Sequence, residues 1–177
     1  LSPIKTFAEN KRKIGYLIGP ADTIIYRADS LIVRQLRKKG VRFSHNNSVT
    51  LLTTGQEKLD DLFKAIDQAK SSIHLEYFNF RNDSINNELI HHLAAKAKEG
   101  VEVRAVFDGF GNASNNRPMK KHKIEAIRKQ GIEIYEFKPM EFPWLQDIFN
   151  RDHRKIVIID GKIAYTGGMN VADYYIK

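Results

Sequence analysis

Residues 153–170 read H-R-K-I-V-I-I-D-G-K-I-A-Y-T-G-G-M-N, and few local folds accommodate that order. Residues 154–160 are rich in Ile and Val, which suits a strand buried on both faces. Asp160-Gly161 is a hairpin turn signal, and Lys162–Thr166 continues as a second short strand. With Gly161 and Lys162 as a two-residue loop, Lys155 faces Gly168 and His153 faces Asn170. Residues directly opposite in an antiparallel pair share a face, as do residues two apart on one strand. One hairpin then gathers an imidazole, an ammonium and a carboxamide on one surface, with Gly167-Gly168 leaving space beside them.

A phosphate needs a nucleophile or acid, a positive charge and neutral donors, and this surface supplies all three. The same stretch fits H-x-K-x4-D-x6-G-G-x-N at His153, Lys155, Asp160, Gly167, Gly168 and Asn170. In this it resembles the signature of the phospholipase D superfamily, which cleaves or exchanges phosphodiesters through a histidine. One copy of the motif is present. Asp160, seven residues from His153, projects to the other face of a regular strand. That geometry predicts support at the turn, where Asp bonds nearby backbone, with direct contact to substrate as the alternative.

The chain has 177 residues, enough for one domain with a core plus an extension. It begins at Leu1 and stops shortly after the motif, so the expectation is an excised piece. It has no cysteine, hence no disulfide framework or thiolate metal site to argue. Net charge is +8, unevenly placed: residues 1–50 hold ten Lys/Arg against three Asp/Glu, and residues 51–177 hold nineteen against eighteen. The basicity belongs to the leading segment. That segment suits a solvated face, an anionic membrane surface or nucleic acid. No apolar run approaches the roughly 18 residues of a membrane span, and no signal-peptide pattern opens the chain, so a soluble piece is expected.

Residues 1–45 read as a basic extension, with a β-branched run at 23–26 and an amphipathic stretch over 30–39. Residues 46–177 read as one catalytic domain. Strands are predicted over 49–52, 72–80, 101–107 and 132–137, and helices over 56–70, 85–99 and 120–130. The alternation argues an α/β layered domain, a largely parallel sheet flanked by helices, to which the hairpin adds antiparallel strands. The stretch 109–118 is expected to be a polar surface loop. The stretch 140–150 carries Trp144 and suits a covered loop or an apolar rim. His74, His91 and His92 suit packing or solvent, and none has metal-ligand spacing. Glu76 and Asp108 lie on strands or their ends, where either could orient a histidine or serve the fold.

N-S-V-T-L-L-T-T-G-Q-E (47–57), S-S-I-H-L-E-Y-F-N-F (71–80), A-K-A-K-E-G-V-E-V-R-A-V-F-D-G (95–109) and G-G-M-N-V-A-D-Y-Y (167–175) extend the likeness. Over about residues 45–177 the chain is similar to the first catalytic half of bacterial cardiolipin synthases. The resemblance implies a second phospholipase D-like half, a membrane anchor ahead of the first, and transfer of a phosphatidyl group between two phosphatidylglycerols or other anionic phospholipids. It implies catalysis by His153, Lys155 and Asp160, phosphate contacts from Asn170 and Gly168, and neither metal nor cofactor. His153 is then the nucleophile or the acid, and the analogy favours the nucleophile. Two alternatives stay open. One is a phospholipase or nuclease active as a homodimer, although a near-neutral body argues against a nucleic-acid partner. The other is a non-catalytic module that holds a phosphorylated ligand.

Overall fold

The computed structural model describes residues 27–43, 47–140 and 149–176. The chain divides into two compact units, Leu1–Leu52 and Thr53–Lys177. In the first, helix α1 runs Arg27–Lys38, overlapping the amphipathic stretch but starting three residues earlier and ending one residue sooner. The β-branched run at 23–26 and Trp144 lie outside the described residues. The predicted strand at 49–52 does not form: Val49 and Leu51 are exposed, and no strand pairs with them. An apolar run without a partner edge has nothing to satisfy its backbone, so propensity alone makes no strand there.

The second unit holds a five-stranded sheet of order β3-β2-β1-β4-β5: β1 Ser72–Tyr77, β2 Glu102–Asp108, β3 Glu133–Phe137, β4 Lys155–Ile159 and β5 Ile163–Thr166. β1, β2 and β3 are parallel, and β4 and β5 add antiparallel strands. Helix α2 (Gly55–Gln68) precedes β1, α3 (Ser84–Lys98) crosses from β1 to β2, and α4 (Gly109–Ala113) and α5 (Lys121–Arg128) lie between β2 and β3. Thr54 caps α2 by accepting the Glu57 N–H, and Asp83 caps α3 by accepting that of Asn86. α3 ends at Gly100, φ +89, where the Val101 N–H returns to the Lys96 carbonyl (3.1 Å). A side chain at that left-handed position would be strained.

Alternation along the strands decides where the core sits. Ile73, Leu75 and Tyr77 of β1, Val103, Ala105 and Phe107 of β2, Ile134 of β3, and Val157 and Ile159 of β4 are buried. They meet Leu59, Leu62 and Ile66 of α2, and Leu89, Leu93 and Ala94 of α3. Each Val, Leu, Ile or Phe among them contributes roughly 1.5–3 kcal/mol by leaving water. The alternate residues Glu102, Arg104, Glu133, Tyr135 and Ile158 are exposed, so among the described residues the helices cover one face.

The 109–118 stretch corrects the loop expectation. The buried Asp108 carboxylate accepts the N–H groups of Phe110 (2.8 Å) and Gly111 (3.0 Å), starting α4 directly at the strand end. A Cβ on Gly111 would collide with the Phe78 carbonyl, so the glycine brings this turn against the end of β1. Buried Asn112 exchanges two hydrogen bonds with the Met119 backbone (3.0 and 2.7 Å). What reads as loop composition is a packed helical turn plus its tether.

Candidate active site

β4 begins at Lys155, and His153 lies two residues ahead in an anchored connection. Asp108 Oδ2 accepts the Asp152 N–H (2.9 Å). Arg151 Nη1 donates to the Lys138 carbonyl (2.8 Å) and lies 3.6 Å from Asp108 Oδ1. Asp152 Oδ1 accepts the Arg154 N–H (3.2 Å) and Nε–H (3.0 Å), and Arg154 Nη2 pairs with Glu76 Oε1 (2.9 Å). Both neighbours of His153 are therefore fixed through groups on β1 and β2.

The exposed His153 ring meets the Phe78 ring edge-on, centroids 4.6 Å apart. Lys155 Nζ sits 5.1 Å from the centroid of the same ring and donates to the His153 carbonyl (2.7 Å). Lysine is ordinarily exposed, yet Lys155 is only 6% exposed. Its position opposite Tyr77 on the helix-covered side of β4 accounts for the difference. Burial pushes its ammonium below the ordinary lysine range, and the Asp152 charge partly opposes that.

The hairpin register departs from the sequence expectation by one residue. Ile159 faces Ile163 and Ile156 faces Thr166, so Asp160, Gly161 and Lys162 form a three-residue loop. Asp160 (φ +53) and Gly161 (φ +63) both take the left-handed conformation, and the Lys162 N–H closes the turn on the Ile159 carbonyl (3.0 Å). A one-residue slip exchanges faces, and pairing stops before Lys155. Asn170 therefore does not stand across from His153. After Gly167-Gly168 the chain runs beside Phe80, bridged at Val171, and buried Asn170 accepts the Asn79 N–H through Oδ1 (3.1 Å). That bond leaves the Asn170 Nδ2 as the donor end of the amide. The segment is tied down by Asp83, which accepts the Asp173 N–H (3.0 Å), and by Asp173, which accepts that of Ile85 (2.9 Å). His153, Lys155 and Asn170 thus border one two-residue segment, Phe78-Asn79, at the end of β1.

Gly167 and Gly168 are exposed, and a Cβ on either would meet nothing within 4 Å. Neither needs positive φ. Nothing among the described residues asks for glycine at these positions. Asp160 lies at the far end of β4, roughly 16 Å from Lys155 along the strand. Its Oδ1 accepts the N–H groups of Ser71 (2.7 Å) and Ser72 (3.0 Å) and the Ser71 hydroxyl (2.9 Å), and its Oδ2 accepts the Lys70 N–H (2.9 Å). These donors hold its carboxyl well below the usual carboxylate range.

Several site residues escaped the sequence reading: Phe78, Asn79, Asn115 and Asp152. Asn115 Nδ2 donates to Asn79 Oδ1 (3.1 Å), adding a polar brace to the same segment. The available signal was position for Phe78 and Asn79, which follow the end of β1 where parallel sheets build sites, and for Asp152, which lies just ahead of β4. A cavity of about 460 Å³ opens beside His153, lined by Glu76, Val106, Phe137 and residues 150–154. Within it the Glu76 carboxyl is pushed up to about 7, by its hydrogen bond to Asp152 and by burial, while Arg154 opposes the shift. Asp152 is itself raised by burial, but the hydrogen bonds from Glu76 and Arg154 win and hold it low. His74 pairs with Glu102 (2.7 Å), and His92 with Asp67 (2.6 Å). Among the described residues no three His, Cys, Asp or Glu side chains gather as metal ligands, and no helix is long and apolar enough to cross a membrane.

A one-sided α/β sheet with a histidine–lysine pair at the end of a β-hairpin defines a phospholipase D-like domain. Residues 62–175 match the family described as cardiolipin synthase, PLD-like domain, and the chain belongs to that family. It is 41% identical to cardiolipin synthase 1 of Bacillus cereus over 127 residues, covering 71% of this chain and 24% of that protein. It is 37% identical to the cardiolipin synthase of Alkalihalophilus pseudofirmus over 146 residues, covering 82% of this chain and 28% of that one. The chain thus spans about a quarter of the length of these relatives. NucT from Helicobacter pylori shares the fold, with TM-score 0.52 and 19% identity over 69% of this chain and 72% of that one.

Proposed function

We propose that this chain is one of two halves of a phosphatidyltransferase that acts on phosphatidylglycerol, or another anionic phospholipid, through a phosphohistidine. The observation that carries the reading is the pairing of His153 and Lys155 against Phe78 in a chain of this family. An imidazole nitrogen of His153 attacks phosphorus, the bond to the leaving glycerol oxygen breaks, and a histidine of the second half protonates that alkoxide. The same second histidine then takes the proton from a hydroxyl of the incoming phosphatidylglycerol. Its oxygen displaces His153, which gives cardiolipin and glycerol.

Lys155 supplies positive charge, and the Asn170 amide, with the open backbone at Gly168, supplies space and donors for the non-bridging oxygens. Asp160 acts at a distance, by fixing the far end of the hairpin. The full-length protein would work at the bacterial cytoplasmic membrane, its second half in the same polypeptide or in a second copy. The test is a protein carrying both halves, incubated with phosphatidylglycerol labelled at phosphorus and quenched during turnover. Acid-labile label on the His153 peptide is expected, and none in His153→Ala. Label persisting on the second histidine in that variant would assign His153 the acid's part. Turnover without covalent label would overturn the phosphohistidine.

A further inference from the structure

Helix α1 carries a surface that the transfer reaction does not use. Leu31 is 55% exposed, Ile32 58% and Leu36 37%. At 3.6 residues per turn these three fall within about 140° of the helix circumference. Arg34, Arg37 and Lys38, all exposed, fall within about 100° of the remainder. Residues 27–43 hold six Lys/Arg and one Asp, so the field around the helix is strongly positive. At 12 residues the helix is also marginal in water by itself and gains from a surface that accepts its apolar stripe.

We propose that α1 is an interfacial helix that lies in the plane of an anionic bilayer. Leu31, Ile32 and Leu36 enter the acyl boundary, and Arg34, Arg37 and Lys38 reach the lipid phosphates. The occupant is argued from both halves of the pattern. A phosphate backbone of nucleic acid would use the basic arc but leaves three large aliphatic side chains in water. A second helix would bury the stripe but gives the cations no counter-charge. An anionic lipid surface uses both.

This inference goes beyond the phosphatidyl-transfer reading and does not depend on it, because its test reads binding alone. The 177-residue chain is floated with phosphatidylcholine vesicles, with and without phosphatidylglycerol, while circular dichroism follows helicity. Binding only to the anionic vesicles, weakened by salt and accompanied by added helix, is expected. Arg34→Gln/Arg37→Gln/Lys38→Gln should weaken binding on the order of 100-fold, about fivefold per charge near the surface. Leu31→Ser/Ile32→Ser/Leu36→Ser should abolish the binding that survives high salt. All six positions are exposed, so the melting of Thr53–Lys177 should not move and reports intact folding. Equal binding by either triple variant, or binding to neutral vesicles as tight as to anionic ones, would overturn the proposal. So would tighter binding to a DNA duplex that the serine variant leaves unchanged.

Discussion

Asp108 Oδ2 accepts the backbone N–H of Asp152 at 2.9 Å, across 44 positions of sequence. A fully buried carboxylate at the end of β2 thereby anchors the connection that presents His153, while its other oxygen starts α4. Asp108→Ala would orphan three backbone donors and remove the carboxylate paired with Arg151. A loss of roughly 3–5 kcal/mol is expected, with Asp108→Asn milder, measured by urea unfolding.

Lys155 combines packing with charge, so the two are separable by substitution. Lys155→Met keeps most of the buried stem and should unfold near the wild-type temperature. In a protein with both halves it should lose on the order of 100-fold or more in turnover, the scale of one lost transition-state donor. Lys155→Ala should lose both rate and stability. Full turnover in Lys155→Met would remove the lysine from the chemistry.

Gly168 makes the converse case. Added side-chain atoms meet open space and no positive φ is required, so Gly168→Val should fold and melt like wild type. If substrate phosphate lies against this backbone, turnover and substrate affinity should both fall. Unchanged kinetics would free the glycine pair from any part in binding.

Asp160 gives an acid-side signature. Its folded-state pKa is depressed, so its stabilisation is present above the unfolded value near 4 and is lost as pH falls below it. Asp160→Asn should lower the melting temperature at neutral pH and flatten the decline below about pH 4. It should also reduce turnover less than Lys155→Met does. Equal rate loss with unaltered melting would mean that Asp160 acts on substrate directly.

Glu76 works in the opposite direction. Its pKa is raised to about 7, so its contribution is complete below the unfolded value and is lost as pH rises through 7. Glu76 is coupled to Asp152 through a hydrogen bond, so the two titrate as a pair. Thermal melts of wild type should therefore decline between about pH 4.5 and 7.5, and Glu76→Gln, which mimics the protonated form, should flatten that window. An unchanged slope would show that the pair holds no proton near neutrality.

The sequence by itself determined the kinds and order of the elements from residue 56 onward, apart from the short helix α4, and it offered a strand at 49–52 that does not form. Helical periodicity marked the helix over 56–70, the Ile/Val run marked β4, and Asp160-Gly161 marked its turn. These are local properties, decided by side-chain spacing and backbone preference within about ten residues. The motif spacing was equally local, and it named His153, Lys155 and Asn170 without their surroundings. Tertiary structure alone decided the rest. The hairpin register follows from Asp160 being captured by backbone donors at residues 70–72, some 90 positions away in sequence. Lys155 is buried because Phe78 and Tyr77 lie against it, and Asn170 is placed by Asn79 rather than by its own hairpin. Asp108 reads as one acidic strand end among several until folding brings Asp152 to it. A polar group gains its role from the partner it meets in the fold, and for these residues the partner is remote in sequence.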